Sequence, residues 1–379
     1  MPTLSVFTDV PLAKNLESSL LKNYKQDNCP QKMFLAYRGR CQPWVSSVVH
    51  KIRLQIAQDP SLNHEYMPVM GMKSFIRASL ELLFGKYSRV ISENRVGGVH
   101  TVGDNGAFQL GAQFLKTWHG ASQIVYIISS QNGECYWAKL MAAMKVSPIS
   151  CLTFLPLTTY HRLYQSILFS FSFFLQSKQI FPFFDIPNQG LFTGDLEEDT
   201  KFLQYFVSGG FEFFCSQSLS KNFGIYDEGV GILVVVAFNN RLLLCALSQL
   251  MNFALALWLT PPTMGARIIT TILCNPALQE AWKQNLKEVV ENIMLMKEKV
   301  KEKLRLLGTP GSWNHITDQN GTHGYLGLNS QQVDYLVTKK HIHIPKNGRI
   351  NFTCINACNI DYVTESVNEA VLFTKDSEK

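Results

Sequence analysis

A chain of 379 residues is long enough to bury a large core and fits one big α/β domain with a smaller companion. With 46% hydrophobic, 12% aromatic and 17% charged residues it is composed as a folded protein, which excludes a disordered chain. The net charge of +6 is spread along the chain rather than massed in blocks, which argues against a nucleic-acid partner.

Read from its start, MPTLSVFTDVPLAKNLESSL has neither the basic-then-apolar build of a secretory signal nor the Arg-rich look of a transit peptide, so a cytoplasmic chain is expected. The cysteines agree: nine of them, an odd number in apolar surroundings with no C-x-x-C pair, indicate a reducing compartment and no metal site. Apolar runs at 123–129 (QIVYIIS), 181–185 (FPFFD), 211–218 (FEFFCSQS) and 230–237 (VGILVVVA) predict buried strands with helices among them. That pattern is an α/β sandwich on a mostly parallel sheet. Residues 152–184 are rich in Phe and Leu, yet His161, Arg162 and Lys178 interrupt them before the roughly 20 apolar residues of a spanning helix, so a buried helix and then a buried strand are expected, and no membrane partner.

Residues 276–307 place Leu278, Trp282, Leu286, Val289, Val290, Ile293, Met296 and Val300 at helical spacing, opened by Asn275-Pro276 and closed by Gly308, which predicts one long amphipathic helix. Beyond it, short strands (GYLGLN, RINFTCI) and a last helix near 360–373 form a small α+β domain. The expected division is an N-terminal arm with the first part of the small domain over 1–44, a large domain over 45–300 whose stretch 150–180 is atypical, and a small domain over 301–379.

Lys221, in SQSLSKNFG directly after the strand FEFFC, stands at a strand's carboxyl end, the edge of an open α/β sheet where ligands bind. A desolvated lysine there can form a Schiff base, although most lysines after a strand are solvated. The surroundings decide: SLNHEY, RVGGV, FPFFD-x-x-x-QG, GFEFFC-x-QS-x-SKNFG, PP-x-x-GARI, TPG-x-WNHITDQ and GRIN occur in order. In these motifs the chain resembles the cytosolic aspartate aminotransferases from about residue 4 to 372, except near 150–180. The resemblance implies a fold-type I homodimer that uses pyridoxal phosphate and acts on small amino and keto acids, moving an amino group between L-aspartate and 2-oxoglutarate. It implies that Lys221 is the Schiff-base lysine, that Asp185 pairs with the cofactor's ring nitrogen and that Ser218 binds its phosphate. Tyr66 then reaches the partner subunit's phosphate, the amides of Gly103 to Ala107, Gly106 among them, help at a helix start, and Arg349 grips the substrate's α-carboxylate.

The pattern also breaks. The family's phosphate arginine falls at Gly229, its phosphate-cradling Gly-Thr on Asp104-Asn105, its ring-stacking aromatic on Asn132 unless Trp137 substitutes, and its phenol-facing tyrosine on Asn188. The partner-subunit arginine that selects a second carboxylate falls at Leu255. Losing the phosphate arginine and one or two neutral contacts costs about 3 to 5 kcal/mol, roughly two to four decades of cofactor affinity. These losses motivate an alternative: a catalytically degraded paralogue that serves as a binding or regulatory dimer partner.

Overall fold

The computed structural model describes residues 19–36, 46–118, 125–129, 149–153 and 161–376. It separates into two compact units, Pro43–Glu291, and Met1–Gln42 with Asn292–Lys379. The chain enters through helix α1 (Ser19–Gln26) and a short strand, β1 (Met33–Phe34), of the second unit.

The larger unit is a sandwich. After α2 (Ser47–Ala57), capped by the Ser46 hydroxyl, and α3 (Lys73–Phe84), its sheet is built from β2 (Val96–Val102), β3 (Val125–Ser129), β4 (Ile149–Thr153), β5 (Phe181–Ile186), β6 (Phe213–Ser218) and β7 (Val230–Val236). Among the described residues the spatial order is β2-β7-β6-β5-β3-β4, with β7 antiparallel to both neighbours and every other pairing parallel. The expectation of a mostly parallel sheet therefore holds.

Strand alternation divides the core. Phe184 and Phe213, with Ile232 and Val234 of β7, face one layer, while Phe183 and Phe214, with Leu233 and Val235, face the other. The second layer is closed by α4 (Gly103–Trp118), through Phe108, Leu110 and Leu115, and by a later helix through Leu243, Leu250 and Ala254. Against the first lie α2, α3, and Leu168 and Leu175 of α5 (His161–Ser177). Helix α5 departs from expectation: Phe169 and Phe173 are exposed, so it buries one face only. It ends as Gln179 turns with φ 51 and the Ile180 amide returns to the Leu175 carbonyl, which delivers the chain into β5.

Helix α6 (Lys201–Ser208) precedes β6, and α7 (Asn240–Trp258) follows β7, its first turn capped by the Asn239 side chain. Among the described residues α7 is the one helix long and apolar enough to cross a membrane by length and composition. Here it packs against β2 and α4. Its other face exposes Leu244, Met251 and Leu255 at spacings of seven and four. Helix α8 (Met264–Leu273) leads to α9 (Pro276–Leu306), whose first amides are taken by the Asn275 side chain, as the sequence predicts.

The smaller unit pairs β8 (His323–Tyr325) with β10 (Arg349–Asn351), and β1 with β9 (Ile342–His343), under α10 (Ser330–Lys339) and α11 (Ile360–Asp376). Its polar contacts rest on one buried group, Lys297, and one partly buried group, Asp27. Lys297 donates to the carbonyls of Gln319 and Gly321 and lies over the Phe352 ring, and burial brings its pKa down to about 8. Asp27 accepts from the Cys29 amide, from His341 Nδ1 at 2.8 Å and from His343 Nε2 at 2.7 Å, and these bonds hold its carboxyl well below the usual range.

Candidate functional site

The site forms where β2 and β6 end side by side, separated only by the start of β7. Thr101 and Ser218 both pair with Gly231, so the chain that follows each strand leaves the sheet at the same edge. After β2 it becomes α4; after β6 it becomes a single helical turn, Leu219–Asn222. A Cβ on Gly231 would collide with the Gly103 carbonyl and crowd the Asp104 amide, which is why only glycine permits this approach. The Gly103 amide donates to the Gly229 carbonyl at 2.5 Å, tying the helix start to the loop before β7.

Lys221 and Asp104, separated by 117 residues in sequence, therefore meet: Nζ stands 2.7 Å from Oδ2, with both side chains partly buried. The other oxygen of Asp104 accepts the Asn105 amide at 3.2 Å, at the positive end of the α4 dipole. Sequence reasoning places Asp104 beside a phosphate but misses this pairing, because it depends on the β2-β7-β6 order, for which no local pattern codes.

Asp185 lies buried on β5, paired in register with Ser129 and Ser216. Burial and then its charge push the neighbouring Cys215 thiol well up, leaving that cysteine inert. Ser218 is buried at the end of β6. Ser220 is committed to structure: its hydroxyl both donates to the Val230 carbonyl and accepts the Val230 amide. Beneath the turn, Gln217 donates to Gln189, Asn222 donates to the Gln189 carbonyl, and Trp282, stacked on Phe223 at 4.2 Å, donates to the Asn222 carbonyl. These groups anchor the lysine-bearing turn, and apart from Trp282 the motif residues QG, QS and SKNFG supply them.

Gly106 is buried in α4, where a Cβ would meet Thr101 and the Trp258 ring. Gly229 has φ 58 and open space around its missing side chain, and the loop before it is held by Arg53, which bridges Asp227 and Glu228. Asn188 closes a turn by accepting the Leu191 amide. Tyr66 is 80% exposed and Leu255 is exposed on α7. Asn132 and Trp137 lie outside the described residues.

Arg349, in the smaller unit, opens β10 opposite Tyr325. Burial lowers its guanidinium pKa, and among the described residues no acid pairs with it. A half-buried guanidinium without an acid has the chemistry to accept a carboxylate through its planar fork. The surface salt bridge that would explain it structurally is absent among the described residues.

A family model described as aminotransferase class I and II matches residues 172–367. A Bos taurus protein provisionally named aspartate aminotransferase, cytoplasmic 2, is 65% identical over 407 residues, covering 100% of both chains. The cytoplasmic aspartate aminotransferase of Gallus gallus is 36% identical over 409 residues, covering 97% of this chain and 98% of its own. An aromatic-amino-acid aminotransferase of Burkholderia pseudomallei, solved covalently bound to pyridoxal phosphate, shares the fold with a TM-score of 0.86 at 23% identity, covering 97% of this chain and 100% of that one.

Proposed function

The chain belongs to the class I and class II aminotransferases, and from that premise we propose that it is an aspartate-type transaminase of the cytoplasm, moving the amino group of L-aspartate to 2-oxoglutarate to give oxaloacetate and L-glutamate. The family uses pyridoxal phosphate, which supplies an electron sink for the substrate's α-carbon. The residues present fit one end of that cofactor. Lys221 offers an amine at the sheet's carboxyl edge, and the buried Asp185 carboxylate suits a protonated ring nitrogen. Its phosphate end fits poorly: Gly229 has no side chain, Ser220 is engaged and Asp104 is an acid at the helix start, which leaves Ser218.

In this reading Arg349 takes the substrate's α-carboxylate through two parallel N–H bonds, and the Lys221 amine carries the proton to and from the α-carbon. Tyr66, exposed in the single chain, serves the neighbouring subunit of a homodimer. The observation that carries the reading is Arg349, buried by half with no acid among the described residues, in a chain that also keeps Lys221 and Asp185. The test is the near-ultraviolet and visible spectrum with saturating pyridoxal phosphate, beside Lys221→Ala. A band on the wild type alone that aspartate bleaches supports the reading; no band above the control, with pyridoxal phosphate or with pyridoxal in its place, rejects it.

The Lys221–Asp104 ion pair favours a second reading, in which the fold is kept and the site is closed, and the chain acts as the partner of an active subunit. Mixed dimers with no gain or loss of the active subunit's turnover would reject that one.

A further inference from the structure

Resting on the reading that Lys221 takes an aldehyde, we propose that Asp104 makes this site select an unphosphorylated ligand, pyridoxal, over its 5′-phosphate. The start of a helix welcomes a phosphate because its free amides and dipole are positive. At α4 that position is already taken by the chain's own anion: Asp104 holds the Asn105 amide with one oxygen and Lys221 with the other. The Gly103 amide is turned to the Gly229 carbonyl, so it cannot serve a ligand without breaking the loop before β7.

Nor can the helix start retreat to make room. Gly103 is pressed against Gly231 too closely for even a methyl group, and the Thr101 hydroxyl holds the Gly103 carbonyl at 2.8 Å. A phosphate entering here meets a fixed carboxylate, and no arginine stands at Gly229 to offset it. A ligand that ends in a neutral hydroxymethyl group meets no such repulsion and can donate to Asp104. The covalent step balances either way: the Lys221 ammonium and the aldehyde give one protonated carbon–nitrogen double bond and one water, with charge conserved.

The experiment titrates the full-length protein with pyridoxal and, separately, with pyridoxal 5′-phosphate. It follows absorbance and, after borohydride reduction, the mass of the Lys221 peptide. Wild type, Asp104→Asn, Asp104→Ser and Lys221→Ala are compared, each checked for fold by circular dichroism, the serine variant standing in if the asparagine one does not fold. The expected result is that the wild type binds pyridoxal at least as tightly as the phosphate, and that removing the Asp104 charge shifts the ratio of the two dissociation constants at least tenfold toward the phosphate. A wild type that prefers the phosphate by more than tenfold, or a ratio unmoved by both Asp104 variants, overturns the inference while leaving the Lys221 reading intact. No Lys221-dependent adduct with either aldehyde overturns both.

Discussion

Single residues in this chain carry charge arguments that can be measured. His100, on β2, is buried against Phe75 with ring centroids 4.4 Å apart, and burial pushes its pKa down to about 3. The unfolded chain protonates this ring near pH 6.5 while the folded chain does not, so the unfolded state binds more protons as pH falls below that value. Stability then drops by about 1.4 kcal/mol per pH unit from this residue alone. His100→Phe is expected to remove that slope between pH 6.5 and 5, read from urea midpoints at the two values. Asp27 runs the other way in origin: its depressed carboxyl contributes stability that is fully present above about pH 4 and is lost as pH falls through its folded value. Asp27→Asn should lower stability at pH 7 by about 1 to 3 kcal/mol. The gap from wild type should shrink as pH falls below 4. At Arg349, truncation to Ala should weaken substrate binding by about one to two decades, with Lys restoring only part because it lacks the planar fork; initial-rate KM values decide.

At the scale of elements, two glycines two residues apart make opposite predictions. Gly231→Ala drives a methyl group into the backbone where α4 begins, and backbone cannot yield as a flexible side chain does, so loss of several kcal/mol or failure to fold is expected. Gly229→Ala meets nothing within 4 Å and costs only about 1 kcal/mol for its φ of 58. Thermal unfolding of the two variants separates them. The same junction shows what a sequence makes legible. Strands β5, β6 and β7 and the long helix α9 could be read directly, because apolar runs and an Asn-Pro to Gly frame are local signals. Lys221, Asp185 and Arg349 could be picked out only through their ordered motifs. The ion pair at Lys221 was hidden, since it arises from two strand ends flanking β7, and the exposed face of α5 was hidden because Phe counts as apolar whether or not anything covers it.

For the whole molecule the exposed apolar residues of α7 make a prediction about association. The face of α7 that shows Leu244, Met251 and Leu255 is the sort of surface a second copy covers. Sedimentation equilibrium should give twice the 42.9 kDa chain mass, and Leu244→Glu with Met251→Glu should halve it. The chain's synthesis carries a further consequence of how its site is assembled. Among the described residues strand β2 pairs with β7 alone, which begins at Val230, past the midpoint of the chain, and the contact between Asp104 and Lys221 closes a separation of 117 residues. Loop closure on that scale makes this edge of the sheet late to form. A nascent chain that stalls before residue 230 thus holds a bare, uncharged strand, VGGVHTV, open to pairing with other chains. Chains cut short before residue 230 are therefore expected to associate through this strand, read as sedimenting aggregate that the full-length chain does not form.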